Sequence, residues 1–228
     1  MKYPIILLDA DDTLLDFGAT EGAALSDTLQ AFHLPNTPEI RAVYSRINVE
    51  HWKLLEQGKL TRAELKLSRF RQFLQSIGAD AAIDPAAVNA FYMERLGGYA
   101  IELPGAADLC RKLAEHHRLY IVTNGSACVQ HRRMAATALL PYIEKVYISE
   151  EIGAQKPSKA YFDAVFSDLG NPPLDEIIIL GDSQTSDMLG GKQAGITTCW
   201  FNPAGKETAG EWDFTIRSLE EFLSIVEE

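Results

Sequence analysis

Five short apolar runs punctuate the chain, at residues 5–8, 119–122, 146–148, 177–180 and 197–201, each bounded by polar or turn residues. Near-continuous β-branched and leucine runs of this length suit strands buried on both faces of a parallel sheet. Segments with a helical period separate the later runs. Residues 106–117 begin just after Pro104-Gly105 and place apolar side chains at 106, 109, 110 and 113. Residues 160–169 carry Tyr161, Phe162, Val165, Phe166 and Leu169 on one stripe, with Ser158 as N-cap. Strand alternating with helix predicts a doubly wound α/β fold around a parallel sheet.

Residues 17–99 break that rhythm. The pattern predicts no strand there but three helix starts. Thr37-Pro38 pairs an N-cap with a first-turn proline, Thr61-Arg62-Ala63-Glu64 has the spacing of a capping box, and Asp84-Pro85 opens a third helix. The expected organisation is a core domain of residues 1–16 and 100–228 with a helical cap domain of 17–99. An insertion at that place follows the first strand, beside the crevice where open α/β sheets bind ligands.

Charge and cysteine usage narrow the partners. A net charge of −11 repels a polyphosphate backbone, so no nucleic-acid polymer is expected to bind. Cys110, Cys128 and Cys199 are far apart and odd in number, which fits a reducing compartment rather than a disulfide framework. No apolar run approaches a membrane span. A cytoplasmic protein, monomer or homodimer, is the expectation.

Candidate chemistry collects at strand ends. Asp9-Ala10-Asp11-Asp12-Thr13 follows the first run directly, and two carboxylates there can divide labour between nucleophile and acid/base. The second run leads into Thr123-Asn124-Gly125, where a hydroxyl and backbone amides can cradle phosphate oxygens. Lys156 precedes Pro157-Ser158 and could neutralise a phosphate. Gly181-Asp182 closes the fourth run, with Asp187 five residues on; hard divalent cations want such carboxylate oxygens. Each fragment alone has an ordinary alternative: an acidic turn, an Asn-Gly turn, a solvated lysine, a helix cap. Four of them in this order, each at the end of a predicted core strand or its following helix, make a joint signal.

Together these four motifs resemble those of the haloacid dehalogenase superfamily, and the helical segment falls where that superfamily inserts its class-1 caps. Within it, the chain is similar to the noncanonical pyrimidine nucleotidases through Leu103-Pro104-Gly105-Ala106, the run from Ile148 to Pro157 and the run from Ala194 to Asn202. The resemblance implies a magnesium-dependent phosphomonoester hydrolase. In it Asp9 attacks phosphorus and Asp11 serves as acid/base. Thr123 and Asn124 lie at the phosphate, and Lys156 balances charge. Mg2+ is held by Asp9, the Asp11 carbonyl and Asp182, with Asp187 in support. The implied substrate is a small phosphate monoester, a nucleoside monophosphate in particular. A sugar-phosphate or phosphoglycolate phosphatase, a mutase, and a catalytically silent binding protein are the alternatives. Among the cap aromatics Trp52, Phe70, Phe73, Phe91, Tyr92 and Tyr99, one or two could stack a base; the other reading is that they pack the cap's own interior.

Overall fold

The computed structural model describes residues 2–227. One compact unit comprises residues up to Phe17 together with those from Ala100 onward, and Gly18–Tyr99 forms a second.

The first unit is built on six parallel strands: β1 (Ile5–Leu8), β2 (Arg118–Thr123), β3 (Lys145–Ile148), β4 (Ile177–Gly181), β5 (Thr197–Phe201) and β6 (Phe214–Ile216), in the order β3-β2-β1-β4-β5-β6. The chain winds outward from β1 through β2 to β3, then returns to the other side of β1 for β4. That reversal opens a crevice at the carboxyl ends of β1 and β4, the usual ligand position in such sheets. Leu8 pairs with Ile121 on one side and Leu180 on the other. The residues just beyond those pairs therefore stand at one level, and the Asp9 N–H donates to the Leu180 carbonyl at 2.9 Å.

A two-residue period divides the strands between two cores. Ile6, Leu8, Leu119, Ile121, Ile178 and Leu180 pack with Leu109, Cys110 and Phe222. Ile5, Leu7, Tyr120, Val122, Ile177 and Ile179 pack on the other face with Tyr161, Phe162 and Val165. Each such side chain contributes roughly 1.5–3 kcal/mol on leaving water, so the strand ends that carry polar groups are firmly anchored. All three cysteines are free thiols. No helix among the described residues is long and apolar enough to cross a membrane.

Three boundaries differ from the sequence pattern. The helix expected over 106–117 stops at Leu113, because the chain must already turn by His116 to enter β2 at Arg118. β6 has three residues with only Ile216 buried, too short and too half-exposed to register as an apolar run. The helix Phe17–Ala31 is not among the three starts read from the sequence; its first N–H donates to the Asp12 carboxylate, five residues back.

The second unit holds the helices Pro38–Glu56, Arg62–Ser76 and Pro85–Leu96, each opened by the expected cap. Thr37 accepts from Ile40 N–H, Thr61 and Glu64 form a capping box, and Asp84 accepts from Ala86 and Ala87. Phe70, Phe73 and Tyr92 are fully buried around Tyr44, with ring centroids 5.1–5.5 Å from it. These three rings are packing residues. Phe91 meets Phe32 edge-on, the Tyr99 hydroxyl donates to Asp27 at 2.7 Å, and Arg62 lies over Trp52, which is partly exposed.

Candidate active site

Asp9 emerges from β1 almost buried. The chain then turns sharply through Asp12, which adopts a left-handed conformation (φ 58°) that aspartate tolerates better than most residues. Asp12 N–H bonds the Leu15 carbonyl at 2.7 Å. The turn brings Thr13 back over the strand end. Its hydroxyl donates to Asp9 Oδ2 at 3.2 Å and accepts the Asp182 N–H at 3.1 Å. One threonine thus ties the loop after β1 to the loop after β4. Asp12 serves as a turn-former in this arrangement.

Lys156 is 1% exposed. Its Nζ donates at 2.6 Å each to Asp9 Oδ1, Asp187 Oδ1 and the Val122 carbonyl, which uses all three hydrogens. Asn124 holds the lysine's main chain from both sides: Nδ2 donates to the Lys156 carbonyl and Oδ1 accepts its N–H, both at 2.9 Å. Asp187 reaches Lys156 because position 181 is glycine. A Cβ there would lie 2.4 Å from the Asp187 carboxyl carbon. A wide turn, closed by Met188 N–H on the Ser183 carbonyl, aims Asp187 back at the strand, where Ser183 N–H donates to its Oδ2 at 3.1 Å.

Asp9, Asp182 and Asp187 each offer a carboxylate oxygen within 4.8 Å of the others. Two like charges at about that distance repel by roughly 3–4 kcal/mol at an effective dielectric near 20. Lys156 sets a buried ammonium between Asp9 and Asp187. Burial pushes Asp9 well above the usual carboxylate range; Asp187 and Asp182 add to the rise, and Lys156 opposes it. Burial, then Asp187 and Asp12, push Asp182 up to about 7. For Lys156 burial alone would lower the ammonium, but Asp187 and Asp9 outweigh it and raise it. The cluster is therefore short of positive charge, and its donors are hard oxygens. The Asp182 carboxylate receives no hydrogen bond from the described residues, whereas its main-chain carbonyl is fixed by the Trp200 indole N–H at 2.8 Å. This donor set fits magnesium, which prefers one or two carboxylates with water and phosphate oxygens. A cavity of about 510 Å³ opens beside Asp182, with Lys206 and Arg217 in its wall.

Asp11 and Thr123 meet a third element, the helix Ala127–Ala135. Gln130 Nε2 donates to Thr123 Oγ1 at 2.8 Å and to Asp11 Oδ2 at 3.0 Å. Arg133 donates to Asp11 Oδ1 at 2.5 Å and to Gln130 Oε1 at 3.0 Å. So Asp9, Lys156, Asp182 and Asp187 form one cluster, with Asn124 behind the lysine, while Thr123 and Asp11 are joined through Gln130. Sequence reading missed Gln130, Arg133 and the bridging position of Thr13. The available signal was the three-residue spacing of Gln130 and Arg133, which puts two long polar side chains on one helix face just past the second motif.

Comparisons with known proteins identify the family. The chain matches the family model described as haloacid dehalogenase-like hydrolase over residues 3–195. It is 32% identical over 230 residues to the pyrimidine 5'-nucleotidase PynA of Streptococcus pneumoniae, covering 100% of this chain and 96% of that one. It is 31% identical to the pyrimidine 5'-nucleotidase YjjG of Escherichia coli, covering 99% of each. The solved structure of the HAD-hydrolase YfnB of Bacillus subtilis, bound to magnesium, superposes with a TM-score of 0.94 at 36% identity, over 100% of both chains. With the family match running through Asp9, Thr123, Lys156 and Asp182, this chain belongs to the haloacid dehalogenase-like hydrolases, and it is an enzyme.

Proposed function

We propose that the protein is a magnesium-dependent phosphomonoesterase that transfers a phosphoryl group first to Asp9 and then to water. Its substrate in this reading is a pyrimidine nucleoside 5'-monophosphate. The observation that carries the chemistry is the Asp9 carboxylate, held at the crevice mouth by Lys156 and Thr13 beside two further carboxylates. The substrate rests on the full-length similarity to two pyrimidine 5'-nucleotidases.

Asp9, Asp182 and the Asp11 main-chain carbonyl would hold the ion, with Asp187 supporting through Lys156. When bound, magnesium supplies the positive charge that lets a carboxylate approach a phosphate dianion. An Asp9 oxygen attacks phosphorus, and the bond to the ester oxygen breaks. Asp11 gives its proton to the departing alkoxide. Asp11 then takes a proton from water, which attacks the phosphorus of the aspartyl-phosphate and releases the Asp9 carboxylate. Thr123 and the neighbouring amide of Asn124 grip the phosphoryl oxygens, and the Asn124 side chain keeps Lys156 in place. Lys156 restrains Asp9 and offsets charge as the phosphate arrives.

Phosphate release measured across UMP, dUMP, dTMP, hexose phosphates and phosphoglycolate tests this. With magnesium present, the pyrimidine nucleotides are expected to lead by about tenfold or more in kcat/KM. A chelator should stop release and added magnesium restore it. A preference for sugar phosphates would overturn the substrate, and full activity in chelator would overturn the metal requirement.

A further inference from the structure

Gln130 spends its whole side chain on the site. Its amide is buried, one Nε2 hydrogen goes to Thr123 Oγ1 and the other to Asp11 Oδ2, and its Oε1 accepts from Arg133. Arg133, buried to 1% exposure, holds the remaining Asp11 oxygen, and its guanidinium lies over the Phe17 ring at 5.9 Å. Asp11, Gln130 and Arg133 close a ring of hydrogen bonds, and Thr123 joins that circuit through Gln130.

Two details give the circuit a purpose beyond packing. Thr123 Oγ1 accepts from Gln130 and also from the Gly125 N–H at 3.1 Å. With both its lone pairs engaged, the hydroxyl hydrogen is left to donate, in a direction those two bonds dictate. Space for the amide is also reserved in the chain. A Cβ at position 125 would stand 2.6–2.7 Å from the Gln130 side chain, so glycine is required there for Gln130 to reach the strand end.

We propose that Gln130 and Arg133 are positioning residues that lock Asp11 and Thr123 into one rigid unit, so that the proton donor and the phosphate-gripping hydroxyl are set together. This rests on the phosphomonoesterase reading above. Gln130 acts through Asp11 and Thr123, to which it donates both of its amide hydrogens.

The consequence is selective. An alkyl leaving group needs the Asp11 proton as its bond to phosphorus breaks, whereas an aryl leaving group departs well without it. Loosening Asp11 should therefore harm alkyl esters far more than aryl esters, which a general loss of packing would not do. The experiment compares wild type, Gln130→Met and Arg133→Lys with UMP and p-nitrophenyl phosphate, alongside thermal melting. Gln130→Met keeps the volume and removes every bond; Arg133→Lys keeps the charge but replaces the planar guanidinium with a shorter, rotatable ammonium. The expected result is a fall in kcat/KM for UMP on the order of 10- to 100-fold, with the aryl ester lowered several-fold at most. Equal losses on both esters in a folded variant would overturn the inference, as would no loss on either. If Gln130→Met does not fold, the same comparison in Arg133→Lys decides. Failure of the wild type to hydrolyse either ester would instead refute the underlying phosphatase reading.

Discussion

Asp9→Asn is expected to fold normally and to lose turnover by on the order of 10⁴-fold or more. The amide has the shape of the carboxylate. Its oxygen can keep the Lys156 bond, and its nitrogen can face the Thr13 hydroxyl. What it lacks is a negative oxygen to attack phosphorus. Stability should not suffer much. Burial and the neighbouring aspartates hold Asp9 above the usual carboxylate range, so its charge is unfavourable in the ion-free fold. Replacing it relieves that repulsion and gives up one charge-assisted bond to Lys156. The melting temperature, read in chelator, should stay within about 5 °C of wild type or rise. Normal turnover in this variant would remove Asp9 as the nucleophile; collapse of the fold would show that its charge is structural.

Lys156→Met is expected to be the most damaging change to stability. The lysine is buried and bonded to two carboxylates. Methionine fills the space but leaves Asp9 and Asp187 facing each other without their counterion. Removing one partner of a buried pair costs about 3–5 kcal/mol, or roughly 6–20 °C in a chain of this size. The sign with pH follows from the raised carboxylates. Asp182, at about 7 in the fold, binds a proton there that the unfolded chain releases near pH 4. The fold therefore holds more protons than the unfolded chain across that window, and stability contributed by this group falls as pH rises through it. Without Lys156 the charges that appear in that window have less compensation. Measured by melting in chelator, the deficit of Lys156→Met against wild type should be larger at pH 8 than at pH 5. A deficit that does not change with pH, or no deficit, would contradict the role given to the lysine.

The sheet was legible because parallel strands buried on both faces leave no polar gaps. β1 and β4 read as unbroken apolar runs for that reason. β6 was not, since an edge strand with one buried residue has no such signature. Helix starts in the inserted segment could be read from caps, because capping is a contact between neighbours in sequence. The cap aromatics could not be sorted into packing and recognition, because burial of Phe70 and Tyr92 depends on which helix faces meet. At the site, aspartates at strand ends were visible as residue types in the right places. The contacts of Lys156 span 147 and 31 residues of chain, and only the sheet order brings them together. Gln130 lay further from view. A glutamine in a helix is ordinary until the helix is seen to abut the ends of β1 and β2.

A covalent phosphate on Asp9 is the direct test of the central claim. Asp11→Asn with p-nitrophenyl phosphate should favour its accumulation, because that leaving group departs without a proton while attack by water still needs the base. Acid quenching after one turnover and mass analysis of the peptide spanning Asp9 should then show one added phosphoryl group at that residue, and none in Asp9→Asn. A phosphoryl group on another side chain, or turnover with none on the protein, would contradict the account.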